Sequence, residues 1–287
     1  MKKVIAKTVG CILAATCVMG LASCGEKTDL KIGKEFVAAT SQLDALMKLD
    51  KGEADVAVID SVMAGYYTST GDYADKMQQV ENLVLAEESY GIAAKKGNQA
   101  FMSKINEALI AIRTDEYAAL TTEYGLTTSI ALTESTTNPY ASATDNSWEE
   151  IKTSGTIVIG YTLFAPIAFE ENDELTGFDI ELAKEVITYL NETYTLDLKV
   201  EFLLIDWNTK EAKLADGTID LVWNGMTITP DREAEMCISV PYLYNKQVAV
   251  IMKKDAAKYT TKDSMAKAIM TAESGSAGES VIVGDKE

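Results

Sequence analysis

The stretch from Thr156 to Trp223 constrains the fold of this chain most. Thr156-Ile157-Val158-Ile159-Gly160 is a short apolar run with β-branched residues, as in a buried strand. Ile180 to Leu190 follows, with Ile180, Ala183, Ile187 and Leu190 at helical spacing. Lys199 to Leu204 reads as a second strand. Lys210 to Asp216 reads as a helix ended by Gly217, and Ile219 to Trp223 as a third strand. A β-α-β-α-β succession predicts an α/β fold with a parallel sheet covered by helices. Ligands of such sheets bind beyond the carboxyl ends of the strands. Three loops leave those ends, Tyr161 to Phe169, Asp206-Trp207 and Asn224 to Arg232. Topology alone therefore brings Phe164, Trp207 and Arg232 towards one place.

Composition narrows the chemistry. With 0 His and 4 Cys that form no cluster, the chain lacks histidine catalysis and the common zinc sites, and no cofactor is expected. Cys11 and Cys17 fall in the N-terminal apolar run and Cys24 just after it. Only Cys237 lies deep in the chain, so no internal disulfide staples the fold. A net charge of −18 repels nucleic-acid phosphates and anionic headgroups, so no nucleic-acid partner is expected.

The N-terminus reads as an export signal. Lys2 and Lys3 precede an apolar run from Val9 to Ala22, broken by Gly10 and Gly20 and short for a membrane span. It ends in Leu21-Ala22-Ser23-Cys24, which resembles a bacterial lipobox. The resemblance implies cleavage after Ser23, lipid on Cys24, and a monomer tethered by residues 24–29 to the outer face of the cytoplasmic membrane or the cell surface. Farther on, Leu132 to Ser147 is rich in Ser, Thr and Asn without apolar periodicity, and reads as a flexible surface linker between two blocks, 30–131 and 148–287.

Three segments carry a family resemblance: IVIGYTLFAPIAF, LTGFDIELAKEV and GTIDLVWNGMTITPDREAEMCISVPY. They resemble the first lobe of the extracellular solute-binding proteins that deliver polar amino acids to ABC importers. Val248 to Met252 is similar to the strand that crosses to the second lobe. Ala272 to Gly278 is similar to that lobe's first strand-to-helix loop. The matching remainder lies at the front of the chain. Glu35 to Thr40 resembles the next strand of the second lobe. Ser41 to Lys51 resembles its helix, ended by Gly52, and Ala54 to Asp60 the strand after it. Tyr90 to Lys95 resembles the return crossing, and Asn98 to Ala111 and Tyr117 to Tyr124 the helices that close the first lobe.

The resemblance implies a two-lobed fold of the type II periplasmic-binding-protein kind, each lobe a mostly parallel sheet flanked by helices. The order of the pieces implies circular permutation, 148–287 preceding 30–131 in the family's usual order. Thr156–Gly160 and Leu198–Leu204 are then expected to share a sheet from which Glu35–Thr40 is excluded. Glu287 and Leu30 are expected to lie together.

The resemblance also implies a site for an L-amino acid. Arg232, whose guanidinium fork suits a carboxylate, would hold the ligand's carboxylate with Thr227. Gly225 and Asp60 would face the ammonium, with Asn224 in the same loop; Asp60 also suits a helix N-cap before Ser61. Ser276 and the Ala277 backbone would meet the carboxylate at a helix N-terminus. Phe164 and Trp207 would wall the side chain and Glu273 would read it, although a solvated role for Glu273 is equally open. The expected partners are a free amino acid and an importer permease. Three alternatives stand beside this reading: a dehydratase-like enzyme on the same scaffold, a sensory module, and a non-functional rearranged fragment pair.

Overall fold

A computed structural model describes residues 30–69 and 73–284. The signal segment, Cys24, the 24–29 tether and Glu287 lie outside the described residues. In chain order the elements are β1 (Glu35–Ala39), α1 (Gln42–Lys51), β2 (Val56–Asp60), α2 (Ser61–Ser69), β3 (Met77–Lys95), α3 (Gln99–Ala111) and α4 (Glu116–Glu123). Then come α5 (Ser147–Ser154), β4 (Thr156–Tyr161), β5 (Phe169–Glu171), β6 (Glu174–Thr176), α6 (Phe178–Tyr194), β7 (Lys199–Leu204), α7 (Lys210–Asp216) and β8 (Leu221–Thr227). The last are α8 (Pro230–Glu235), β9 (Met236–Ile238), β10 (Leu243–Met252), β11 (Ile269–Glu273) and α9 (Ala277–Val283).

The strands form two mostly parallel lobes. In one, β4 lies between β7 and β8, parallel to both. In the other, β11 lies parallel between β1 and β2, Ala39 opposite Glu273 and Met270 opposite Val56. Strands from the two ends of the described chain thus alternate in one lobe. All five residues of β2, Val-Ala-Val-Ile-Asp, are buried, as parallel strands covered on both faces require. The ends meet as well: the Lys31 N–H donates to the Ile282 carbonyl at 2.8 Å.

One expectation is corrected. β4 and β7 do pair directly, but they are not separated from β1 as distinct sheets. Hydrogen bonding is continuous through β1-β11-β2-β10-β3-β8-β4-β7. The long crossing strands β10 and β3 pair antiparallel from Leu243–Tyr90 to Met252–Met77, and their outer edges reach β2 and β8. The Tyr90–Lys95 crossing expected from the sequence is the end of a strand that begins at Met77.

Local chemistry sets most element ends. Ser41 caps α1 by accepting from the Asp44 N–H, and Gly52 ends it in the left-handed region. α6 starts at Gly177, where φ is +123° and a Cβ would stand 2.4 Å from the Ile167 carbonyl oxygen. Its inner face, including Phe178, Leu182, Val186 and Leu190, joins the largest core cluster with Trp223, Tyr242 and the α3 residues Phe101 and Ile105. The 132–147 connection is held to that core. Asn138 donates to the Ser103 carbonyl, and Asp145 accepts from the Ala100 N–H. Trp148 stacks on Phe101 at 6.5 Å between centroids. Among the described residues no helix is long and apolar enough to cross a membrane.

Candidate functional site

A cavity opens between the lobes at the strand ends, and all ten residues singled out from the sequence line it. Phe164 comes from the loop after β4 and Trp207 from the turn after β7. Asn224, Gly225 and Thr227 come from β8, and Arg232 from α8. Asp60 ends β2, Glu273 ends β11, and Ser276 and Ala277 open α9. Gln42, Thr162 and Gln247 also line it and were not singled out.

The expected loop from Asn224 to Arg232 takes another form. β8 extends to Thr227 because β3 pairs along it, Tyr90 opposite Thr227 and Gly91 opposite Met226. Three site residues therefore sit on a strand. Arg232 sits on a short helix for a local reason: Thr229 caps it by accepting from the Arg232 N–H, and Pro230 occupies its first turn. Thr-Pro-Asp-Arg is thus a helix start readable in the sequence.

The Arg232 guanidinium donates through Nη1 to the Thr227 carbonyl at 2.8 Å and through Nη2 to the Gly275 carbonyl at 3.1 Å. The second bond joins the lobes. Lys210, 2% exposed, donates to the Trp207 carbonyl at 3.1 Å and lies 4.7 Å from the Trp207 ring centroid, which fixes that wall. Ser276 accepts from the Glu279 N–H at 3.2 Å and so caps α9.

On the other side, Asp60 is 4% exposed. Its oxygens accept from Asn245, Gln247 and Gln42, so its carboxylate faces side chains of the cleft rather than capping α2. Burial, and next the charge of Glu88, hold its carboxyl well above the usual range. Glu273 is 5% exposed, which removes the solvated role left open for it. Burial pushes it up to about 8, against the pull of Lys210. Three oxygens of cavity-lining residues, Glu273 Oε1, Asn224 Oδ1 and Gln247 Oε1, are buried without a hydrogen-bond partner. Each orphaned acceptor costs about 1–3 kcal/mol until a donor reaches it.

The cavity's free volume is ≈20 Å³, space for about one water molecule. An amino acid enters only if the lobes part and the Arg232–Gly275 contact opens.

Behind Gly225 stands an acid that the sequence reading passed over. Asp179 Oδ2 accepts from the Gly225 N–H at 2.8 Å and the Tyr242 hydroxyl at 2.7 Å. These bonds hold Gly225 at φ +61°, where a Cβ would stand 2.7 Å from Phe164 Cε1. Burial raises Asp179 to about 7 from an ordinary 3.8. A raised carboxyl favours the fold while protonated. Its contribution is complete below the unfolded pKa, declines as pH rises from about 4, and is lost above about 7. Asp179→Asn, which keeps an acceptor and cannot ionise, is expected to be more stable than the parent by about 2–4 kcal/mol at pH 8. The gain should vanish near pH 4. Urea unfolding at both pH values measures it, and a variant less stable than the parent at pH 8 overturns it.

The family match falls on the second block. Residues 156–274 match the family described as bacterial extracellular solute-binding proteins, family 3. The chain is similar to the probable ABC transporter extracellular-binding protein YckB of Bacillus subtilis, 31% identical over 121 residues, 40% of each chain. It is 30% identical over 106 residues to the arginine-binding extracellular protein ArtP of the same organism, covering 37% of this chain and 39% of that one. The alignments thus span about two fifths of the length of these curated relatives. Among solved structures, a histidine-bound ABC uptake transporter substrate-binding protein from Streptococcus pneumoniae is 38% identical over 33% of this chain and 36% of that one, with a TM-score of 0.27. The arginine-bound domain 1 of TmArgBP is 27% identical over 40% of this chain and 90% of that one, with a TM-score of 0.29.

Proposed function

We propose, on the premise that residues 156–274 carry the sequence of the bacterial extracellular solute-binding proteins, family 3, that this protein captures an L-amino acid with a polar side chain between two closing lobes and delivers it to an ABC importer. One observation carries the reading. Arg232 from one lobe and Asp60 from the other line the same cavity, together with orphaned acceptors at Glu273, Asn224 and Gln247. A free amino acid matches that set with a carboxylate for the guanidinium, an ammonium for the acid, and further ammonium or side-chain donors for the orphaned oxygens. In this reading Thr227, Ser276 and Ala277 assist at the carboxylate, Gly225 at the ammonium, and Phe164 and Trp207 enclose the side chain. Charge-assisted bonds contribute roughly 1.5–3 kcal/mol each, and a micromolar Kd needs about 8 kcal/mol. A few such bonds plus ring burial suffice. A ligand that bonds both lobes favours the closed state.

Two further parts belong to the reading. Lipid on Cys24 anchors the protein outside the cytoplasmic membrane. The binding domain is circularly permuted, 148–287 followed by 30–131, with 132–147 joining the older termini. The placement of β11 between β1 and β2, and the contact of Lys31 with Ile282, support the permutation.

A thermal-shift screen of the twenty amino acids tests the function, since a ligand bound only by the folded state raises its melting temperature. We expect one transition, raised by a polar amino acid. The same amino acid should raise it in a chain rearranged to 148–287 followed by 30–131. If leucine and its aliphatic kin alone raise it, the side-chain assignment is wrong. If no amino acid does, the function is wrong. In the alternative reading Glu273, raised to about 8 by burial, is the candidate general acid, and turnover of prephenate or arogenate would replace binding with catalysis.

A further inference from the structure

We infer that Asp60, set beside Glu88, receives the ligand's ammonium in exchange for a proton, Glu88 acting as a positioning residue that sets the charge of the acid in the cavity. The inference rests on the amino-acid reading above.

The geometry of the pair is unusual. Asn245 Nδ2 donates to Asp60 Oδ1 at 2.5 Å and also to Glu88 Oε1. Gln247 Nε2 donates to the same two oxygens, at 2.6 and 2.9 Å. Two carboxyl groups from different strands, β2 and β3, therefore converge on two carboxamide nitrogens of β10. Their outer oxygens are taken as well. Gln42 of α1 donates to Asp60 Oδ2, and Thr227 of β8 donates to Glu88 Oε2 at 2.8 Å.

All of these donors are neutral. The remaining titratable neighbour on β3 is Tyr90, whose hydroxyl feels Asp60 and Glu88 but makes no hydrogen bond of ordinary geometry. Across the cleft, Arg232 of α8 feels both acids, yet its guanidinium donates to the Thr227 and Gly275 carbonyls. Glu273 of β11 lines the same cavity and is itself mostly protonated at neutral pH.

With a second acid this close and only neutral donors bonded to it, the buried Asp60 carboxyl holds a proton. A cation arriving at Asp60 removes the reason to hold the proton. The acid's O–H breaks, the proton passes to bulk solvent, and the ammonium donates an N–H to the freed carboxylate. One positive charge enters and one leaves. Beside the pair, Gln247 lines the cavity; the residue is 2% exposed and its Oε1 has no partner, which suits a second N–H of the same ammonium. Glu88 does not line the cavity. It acts through the donors it shares with Asp60 and through its charge.

The test uses the full chain and each of the twenty L-amino acids as probe. Carbon-13 titration of the carboxyl groups in the ligand-free protein should show Asp60 titrating well above the ordinary aspartate range. Calorimetry in two buffers of different ionisation enthalpy should show a net release of a proton on binding at pH values below that midpoint. There the affinity should rise about tenfold per pH unit and level off above it. Glu88→Gln should lower the Asp60 midpoint and move the proton release and the rise in affinity to lower pH, leaving the part that burial alone sustains. An ordinary Asp60 midpoint in the parent protein, or binding without proton release, overturns the inference while the amino-acid reading stands. If none of the twenty binds, both fall. The parent protein alone decides the matter should Glu88→Gln fail to fold.

Discussion

Arg232→Ala is expected to abolish amino-acid binding, with a loss of at least about a hundredfold in affinity by calorimetry. The guanidinium is the only arginine fork in the cavity, and it reaches across it to Gly275 of the other lobe. Removing one partner of a buried charge-assisted contact costs roughly 2–5 kcal/mol, because the group left behind keeps its desolvation penalty. In the proposed complex that group is the ligand's carboxylate. Arg232→Lys should recover only part of the loss, since an ammonium cannot reproduce the planar two-pronged donation. The fold should persist in both variants: α8 buries no residue, and its cap belongs to the Thr229 side chain and the 232 backbone N–H. Unchanged affinity in the alanine variant would remove Arg232 from the site.

Gly177→Ala is expected to have the largest effect on stability of any single methyl group added near the site, more than about 3 kcal/mol. At φ +123° no L side chain is comfortable, and the added Cβ would stand 2.4 Å from the Ile167 carbonyl oxygen and 2.8 Å from the Ala168 Cα. Neither neighbour is a flexible side-chain tip. The 166–168 segment accepts the first N–H groups of α6, Phe178 to the Pro166 carbonyl and Asp179 to the Ile167 carbonyl, both at 2.9 Å. A shift of that segment therefore moves Asp179, and with it the hold on Gly225. Binding and stability should fall together. A melting temperature within about 2 °C of the parent would show that the turn adapts, and would weaken the assignment of Asp179 as the support of Gly225 on β8.

The periodic elements were legible because their signals are local. α6 shows its apolar face at helical spacing. Gly52 and Gly217 mark helix ends in the left-handed region, whereas the helix start at Thr229-Pro230 falls in a segment that reads as part of a loop. Parallel strands at β4, β7 and β8 follow from the alternation of strand and helix. Because ligands gather at the carboxyl ends of such strands, Phe164, Trp207 and Arg232 could be placed together before any coordinates. Residues added by family resemblance, such as Asp60 and Ser276, came from motif context and not from spacing.

Local signals along the chain therefore specify its set of elements, several helix ends, and the side chains that carry recognisable chemistry. The tertiary structure decided how those pieces meet. β8 runs on to Thr227 because β3, far away in the chain, supplies a ladder that pairs Tyr90 with Thr227 and Gly91 with Met226, and no local signal reports a partner that distant. Gln42, Gln247 and Glu88 escaped notice for the same reason: a glutamine on a helix and a glutamate on a strand look like solvated residues until folding sets them against Asp60. Asp179 reads as a favourable acid in a first helical turn, and only the packing of α6 on β8 turns it into the buried acceptor of Gly225. Propensity and capping act over a few residues. Burial and charge coupling depend on every neighbour within several ångströms, and those neighbours come from four or five separate segments of the chain.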